Sequence, residues 1–315
     1  MRIGLVGCGT LGRRLGNRLL RGGHDLEIHD RNPTHAAPLL DCGARWAENP
    51  TDLAGNEVIV SALPFQKDVE SVVLGEDGIW AAAARGTVHL ETSTLGLACV
   101  RGLAKTAASQ GIRFLDSPVS RGAVKETGPE IVLWVGGNAD DYDLARPVME
   151  TMADRILYCG SIGLGQVTKL VNNLITHSLT VILGEALAVG VGAGASLDLL
   201  RAALHLGTAQ NRLLDEMLPA TVFRGDWKPG LRLSMAEKDL RLAAELATEV
   251  GVELTTIDPM RSVYRRASER GWEELSAHAV LRLVEESSGV VLRSAIFESL
   301  PDIGSEDDAT SEVSR

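Results

Sequence analysis

The sequence predicts a doubly wound, mostly parallel α/β sheet followed by an all-α domain. Three observations carry this. The chain opens with an apolar run, a GxGxxG turn, a helical stretch and a second apolar run ending in an acid. Strand-like and helix-like stretches then alternate to about residue 160. After Gly165 only helical patterns follow.

Arg2 to Gly7 reads as a buried parallel strand. Gly7, Gly9 and Gly12 stand in GxGxxG spacing, and Leu11, Leu15, Leu19 and Leu20 share one face of a helix over Leu11 to Gly22. Leu26 to His29 reads as a second strand, closed by Asp30. A lone GxGxxG also fits a glycine-rich turn, but here strand, helix, second strand and acid agree on a dinucleotide site. Gly7 permits the tight turn, Gly9 lets a pyrophosphate approach the backbone, and Gly12 packs helix on strand. The helix N-terminus offers free N–H groups and a positive dipole end to phosphate. Asp30, 18 positions after Gly12, stands where a carboxylate accepts bonds from ribose hydroxyls and repels a 2′-phosphate. That favours NAD over NADP. Arg31 next to it can instead bind such a phosphate or stack on adenine, so NADP stays open.

Further strands are expected at Val58 to Pro64, Gly86 to Glu91, Ile112 to Leu115, Ile131 to Val135 and Arg155 to Tyr158. The hydroxyls of Thr92, Ser93 and Thr94 are candidate caps for a helix from Leu95, and Asn138 or Asp140 for a helix through Glu150. Beyond, Gln166 to Ala193 reads as one long helix. Others are expected at Leu197–Leu206, Gln210–Met217, Ser234–Val250, Ile257–Arg270 and Ala277–Glu286. The expected division is a dinucleotide-binding domain over 1–162, a helical domain over 163–297 and an unstructured acidic tail over 298–315.

With 315 residues, 45% of them hydrophobic, the chain can fill two cores. Its formal charge of −11 disfavours nucleic acid as a partner. Cys8, Cys42, Cys99 and Cys159 are scattered without a CxxC pair, so neither a metal site nor a disulfide frame is expected. Cys8 reads as a small spacer. The chain starts directly on a strand, with no basic region before a cleavable apolar segment, so a cytoplasmic location is expected. Leu174 to Ala195 is strongly apolar but interrupted by His177, Glu185 and glycines. It reads as a buried helix and not a membrane span.

Lys169 is the residue to single out. It lies in GSIGLGQVTKLVNN, in the first turns of the long helix, with Asn173 and His177 following at four-residue intervals on the same stripe. A lysine there, near a helix N-terminus and a domain junction, has its ammonium form disfavoured, which suits a general base for an alcohol. The competing reading is an ordinary surface lysine, and His177 alone reads as a core histidine. The Ser117–Gly122 stretch follows a strand's carboxyl end, where open α/β sheets place ligands. Ser120 can donate a hydrogen bond and the backbone near Gly122 can approach an anion; a β-turn around Pro118 explains the same residues. Lys238-Asp239, inside a Leu/Ala-rich helix, reads by itself as a solvated charge pair.

Together these stretches resemble the β-hydroxyacid dehydrogenase family, which includes 3-hydroxyisobutyrate dehydrogenase and tartronate semialdehyde reductase. Four blocks carry the resemblance in the family's order: GCGTLG with its acid, DSPVSRG with a later paired glycine, GLGQVTKLVNN, and EKDLRLA. The resemblance implies an N-terminal Rossmann domain, a helical C-terminal domain and a homo-oligomer (dimer or tetramer) packed through the helices. It implies Lys169 as the acid/base, with Asn173 positioning a hydroxy-acid or semialdehyde substrate. Ser120 and the backbone at Gly122 would hold the substrate carboxylate. Gly7, Gly9, Thr10, Leu11, Gly12, Asp30, Arg31, Leu63, Pro64 and Thr94 would surround the cofactor, with Lys238 reaching toward it from the second domain. The family usually has glycine where this chain has Arg121, which either pairs with an acidic substrate or narrows the pocket. Two rivals remain: a cofactor-bound interaction protein without turnover, which Arg121 favours, and an imine reductase-like enzyme, against which Lys169 argues.

Overall fold

The structure, a computed structural model, describes residues 1–125 and 128–298, and of these the side chains of all but 121–125, 128–129 and 298. The chain forms two compact units, Met1–Ala123 with Pro129–Leu170, and Val124–Gly128 with Val171–Arg315.

The first unit runs β1 (Arg2–Val6), α1 (Thr10–Arg21), β2 (Asp25–His29), α2 (Ala37–Asp41), β3 (Arg45–Trp46), β4 (Val58–Ser61), α3 (Gln66–Leu74), α4 (Ile79–Ala82), β5 (Val88–Glu91), α5 (Leu97–Gln110), β6 (Arg113–Asp116), β7 (Val119–Lys125), β8 (Gly128–Gly136), α6 (Ala139–Met152) and β9 (Arg155–Gly160). The sheet order is β3-β2-β1-β4-β5-β6-β8-β7, with β9 beside β8. The six strands from β3 to β6 pair in parallel, β8 runs antiparallel to β6, and β9 is parallel to β8. The chain leaves β1 to one side for β2 and β3, then returns to its other side with β4. That reversal opens a crevice at the strands' carboxyl ends, where such sheets bind ligands. Burial on both faces follows from alternation. Val58 and Val60 join the core under α1 with Leu5, Leu15 and Leu19, while Ile59 points the other way, to Val69, Val73 and Trp80.

After β9 comes α7 (Leu164–Gly192), which begins in the first unit and continues into the second. The second unit adds α8 (Leu197–His205), α9 (Leu233–Glu249), α10 (Ile257–Ser268), α11 (Arg282–Ser288) and α12 (Ala295–Glu298) around a core that includes Leu214, Phe223, Leu240 and Tyr264.

Several details differ from the sequence-based expectation. The Ser117–Gly122 stretch is a strand from Val119 onward, because pairing with β8 satisfies backbone groups that a turn would leave to solvent. α5 starts at Leu97, with Gly96 before it and no side-chain cap. Ser93 is occupied elsewhere, its hydroxyl accepting from Leu63 N at 2.9 Å. Asn138 does cap α6, accepting from Asp140 N at 2.8 Å. Gln210–Met217 is a π-turn over Leu213–Met217 only, and Ala277–Glu286 splits into a 3₁₀ segment and α11. α7 is buried along one side and exposes Val171, Ile175, Ile182 and Val189 on the other. The acidic tail after residue 298 lies outside the described residues.

Candidate active site

The GxGxxG turn joins β1 to α1, and its glycines have three distinct surroundings. Gly7 has φ +92°, and a Cβ there would collide with Ala62 O. A Cβ on Gly12 would collide with Gly7 O. At Gly9 nothing lies within 4 Å of where a Cβ would be. Two glycines are thus required by protein packing, and the middle one faces open space. No side chain caps α1, which starts at Thr10 and Leu11, and no acid stands in its first turn. This turn fits a dinucleotide pyrophosphate, with N–H groups and room where phosphate oxygens would approach.

Asp30 follows β2. Its Oδ2 accepts from Cys8 N at 2.7 Å and its Oδ1 from Asn32 N at 2.8 Å, with His35 Nδ1 at 3.3 Å. The acid therefore braces the turn between Gly7 and Gly9 from the end of the second strand. Arg31 is 83% exposed, its guanidinium 3.8 Å from Asp68 Oδ1. Burial pushes the Cys8 thiol up to about 12, which leaves it an inert spacer at neutral pH.

Leu63 and Pro64 follow β4, and a Leu63 methyl lies 3.0 Å from where a Gly7 Cβ would be. Thr94 follows β5. Under these segments runs a buried polar chain that sequence reading missed. Trp80 Nε1 donates to His89 Nδ1 at 2.8 Å, so the other imidazole nitrogen carries the proton and donates to Ser61 Oγ at 2.8 Å. Ser61 Oγ donates to Glu91 Oε2 at 2.6 Å, and Glu91 Oε1 accepts from Ser93 N at 2.8 Å. Burial pushes His89 down to about 3, so it stays neutral. Ser61 gives its proton to the carboxylate and receives one from histidine, the reverse of a serine nucleophile's arrangement. The chain is a scaffold.

The start of α7 is built on two buried side chains. Asp116, at the end of β6, accepts from Gly163 N at 2.6 Å and from Gln166 N at 2.8 Å. Burial, opposed by these bonds, pushes its carboxyl up to about 6. Gln166 Nε2 donates to Ser93 O at 2.7 Å and its Oε1 accepts from Leu95 N at 3.0 Å. Lys169 stands three residues further along α7, half-buried.

Asn173 lies four residues beyond Lys169 on α7, buried, and donates to Asp239 Oδ2 at 2.6 Å. Asn172 Nδ2 donates to Asn173 Oδ1 at 3.0 Å, so both ends of the Asn173 amide are oriented. Lys238 Nζ is 3.5 Å from Asp239 Oδ1, with Asp239 buried and the Lys238 side chain only 9% exposed. Lys238-Asp239 is therefore no solvated pair, and Asp239 is a buried partner of Asn173 that the sequence reading did not connect to it. Its signal was available: with Met235, Ala236, Leu242 and Ala243 it falls on the buried face of α9, where a carboxylate needs partners. His177 is buried but not a satisfied core histidine: its Nε2 has no hydrogen bond and lies 3.9 Å from Asp239 Oδ2. Its ring meets the Tyr264 ring edge-on at 5.9 Å. Ser120 is half-buried in β7, where Arg121 and Gly122 are described by their backbone alone. Among the described residues, no group of three His, Cys, Asp or Glu is arranged to hold a metal ion.

Residues 2–160 match the NAD binding domain of 6-phosphogluconate dehydrogenase, and residues 163–284 match the NAD-binding family of NADP-dependent 3-hydroxyisobutyrate dehydrogenase. An NAD-dependent L-serine dehydrogenase of Pseudomonas aeruginosa is 30% identical, covering 91% of this chain and 99% of the relative. A 3-hydroxyisobutyrate dehydrogenase of the same organism is 32% identical, covering 81% and 87%. The solved structure of Mycobacterium tuberculosis 3-hydroxyisobutyrate dehydrogenase with L-serine superposes with a TM-score of 0.80 at 26% identity, covering 90% and 98%. Imine reductases at 16% to 20% identity share the fold alone. The glycine turn with its acid, the lysine helix and both matched regions lead to one conclusion: the chain belongs to the β-hydroxyacid dehydrogenase family.

Proposed function

We propose that Lys169 is the general acid/base of an NAD-preferring dehydrogenase acting on a small β-hydroxy acid or the matching semialdehyde. Membership of the family makes the chain an NAD(P)-dependent oxidoreductase of hydroxyl groups. The nicotinamide, when bound, accepts or supplies the hydride. Lys169 Nζ takes the hydroxyl proton on oxidation and returns it on reduction. The observation that carries this is the construction of α7. Lys169 stands one turn past two buried side chains that hold the helix start, and Asn173 on the same face has its amide oriented by Asp239 and Asn172.

In this reading Asn173 orients the substrate hydroxyl, and Ser120 with the backbone at Gly122 holds its carboxylate. Arg121 selects for a second anionic group or several hydroxyls. Leu63, Pro64 and Thr94 line the cofactor beside the glycine turn, and Lys238 is a further cofactor-binding residue. L-serine and 3-hydroxyisobutyrate, which appear in the names of the relatives, are the first substrates to try. The protein acts in the cytoplasm as a homo-oligomer, and the exposed apolar residues of α7 supply the packing surface.

A spectrophotometric screen of β-hydroxy acids and semialdehydes with both cofactors tests the proposal. Turnover of at least one member with NAD is expected, lost in Lys169→Ala. Cofactor binding without turnover of any member would favour the interaction-protein alternative, and reduction of cyclic imines alone would favour the imine reductase one.

A further inference from the structure

We propose that Gln166 is a positioning residue: its side-chain amide fastens the Ser93–Leu95 loop to the first turn of α7, fixing Lys169 relative to Thr94. The inference rests on the reading of Lys169 as acid/base and Thr94 as a cofactor-lining residue; the hydrogen bonds do not.

Gln166 is fully buried, and both ends of its amide bond to backbone groups of one loop. Oε1 accepts from Leu95 N at 3.0 Å, and Nε2 donates to Ser93 O at 2.7 Å. Those partners, one donor and one acceptor, fix the orientation of the amide, since the flipped form would set like against like at both ends. Thr94 lies between the two clamped residues. Ser93 is a hub: its N–H goes to Glu91, its hydroxyl receives Leu63 N, and its carbonyl receives Gln166. The segments after β4 and β5 and the first turn of α7 are therefore one hydrogen-bonded assembly.

The helix end of the clamp is equally determined. Gln166 N and Gly163 N both donate to Asp116, a carboxylate supplied by β6 and not by the residues preceding the helix. Such donors at a helix start otherwise need a local cap or water. Gly165 leaves no slack: a Cβ there would stand 2.7 Å from Asp116 Oδ2 and 2.8 Å from Asp116 O. A Cβ on Gly136 would stand 2.9 Å from Gly165 N. β6, β8 and α7 therefore approach too closely here for any side chain, and the Gln166 contacts join the loop to this same closely packed helix start.

The test uses Gln166→Met, which keeps length and removes both bonds, and Gln166→Glu. A protonated glutamic acid reproduces the clamp, its O–H donating to Ser93 O and its carbonyl accepting from Leu95 N. Its ionised form sets a buried charge against Ser93 O. The ionisable groups facing the site, Asp116 and Glu91 by hydrogen bonds and Cys159 beside Asp116, are common to wild type and variants. Rates are therefore read as ratios to wild type. In cofactor-free protein, amide hydrogen exchange at Leu95 is expected to accelerate in Gln166→Met. Its kcat per folded molecule should fall roughly tenfold to a hundredfold, as expected when buried partners are left unsatisfied. For Gln166→Glu the ratio to wild type should rise as pH falls, while that of Gln166→Met stays flat.

Unchanged Leu95 exchange in Gln166→Met overturns the clamp. So does a Gln166→Met that loses Tm but keeps wild-type kcat per folded molecule, the signature of a merely structural residue. If Gln166→Glu does not fold at neutral pH, those two readouts on Gln166→Met decide. A fully active Lys169→Ala would sink the acid/base reading instead, and the Leu95 exchange result would stand independently of it.

Discussion

Asp30 commits both carboxylate oxygens to backbone N–H groups, of Cys8 and of Asn32. A residue read as a ribose acceptor is thus also a brace for the glycine turn, and substitution touches both roles. Asp30→Ser is expected to weaken NAD roughly ten- to a hundredfold, the usual range for losing a charge-assisted hydrogen bond. NADP should suffer less, because the charge that repels a 2′-phosphate is gone. Dissociation constants for both cofactors, read by fluorescence titration, check this; a wild-type preference for NADP would show that exposed Arg31 outweighs Asp30. Lys169→Ala should lower kcat by about 10²–10⁴-fold while NAD still binds, because the glycine turn is a separate piece of structure. Full activity at saturating substrate would remove the assignment. The glycine turn was legible for a simple reason. A glycine at φ +92° is demanded by backbone sterics and leaves its trace in local spacing.

α7 shows where spacing stops being informative. Its length, its lysine and its four-residue stripe could be read from the chain, but what holds its first turn could not. Asp116 and Gln166 are separated by 50 positions, and Gln166 and Ser93 by 73, so no local pattern connects them. The Trp80–His89–Ser61–Glu91 chain was hidden in the same way, each bond joining different segments of the sheet layer. β3, two residues long, has no room for a period, and β7 was not foreseen because Pro118 and Gly122 also suit a loop or turn. Asp116 also makes the helix start pH-sensitive. Its carboxyl is pushed from 3.8 up to about 6, so the folded state holds the proton more tightly than the unfolded chain. By linkage, the ionised group costs stability above that window, and the cost is relieved as pH falls through it. Relative to Asp116→Asn, the wild-type Tm should therefore rise on going from about pH 7 to about pH 5. Over the same interval its kcat should fall, as one of the two N–H groups loses its acceptor. Parallel Tm curves for the two proteins would show that Asp116 does not titrate there.

At the scale of the whole molecule, α7 stands out as a long helix with several exposed apolar residues. Ile175, Ile182 and Val189 are 60%, 52% and 74% exposed, and they recur every seventh residue, which sets them in one row along the helix. Scattered apolar residues on a surface need no account, but a row on a long helix suits the packing surface of the proposed homo-oligomer. The same helix is long and apolar enough to cross a membrane, by length and composition alone. In the proposed homo-oligomer the occupant is a second copy of the chain, whose α7 carries the same apolar row. The double variant Ile175→Glu, Ile182→Glu places charges of one sign in that row, which cannot pair with each other across two copies. It should shift the sedimenting species to a smaller mass in detergent-free buffer, with helical content by circular dichroism retained. Individual charges at a buried apolar contact cost several kcal/mol unless paired, so the effect on association should exceed about a hundredfold. An unchanged mass would place the interface elsewhere, and flotation of the wild type with neutral lipid vesicles would turn the row into a membrane contact.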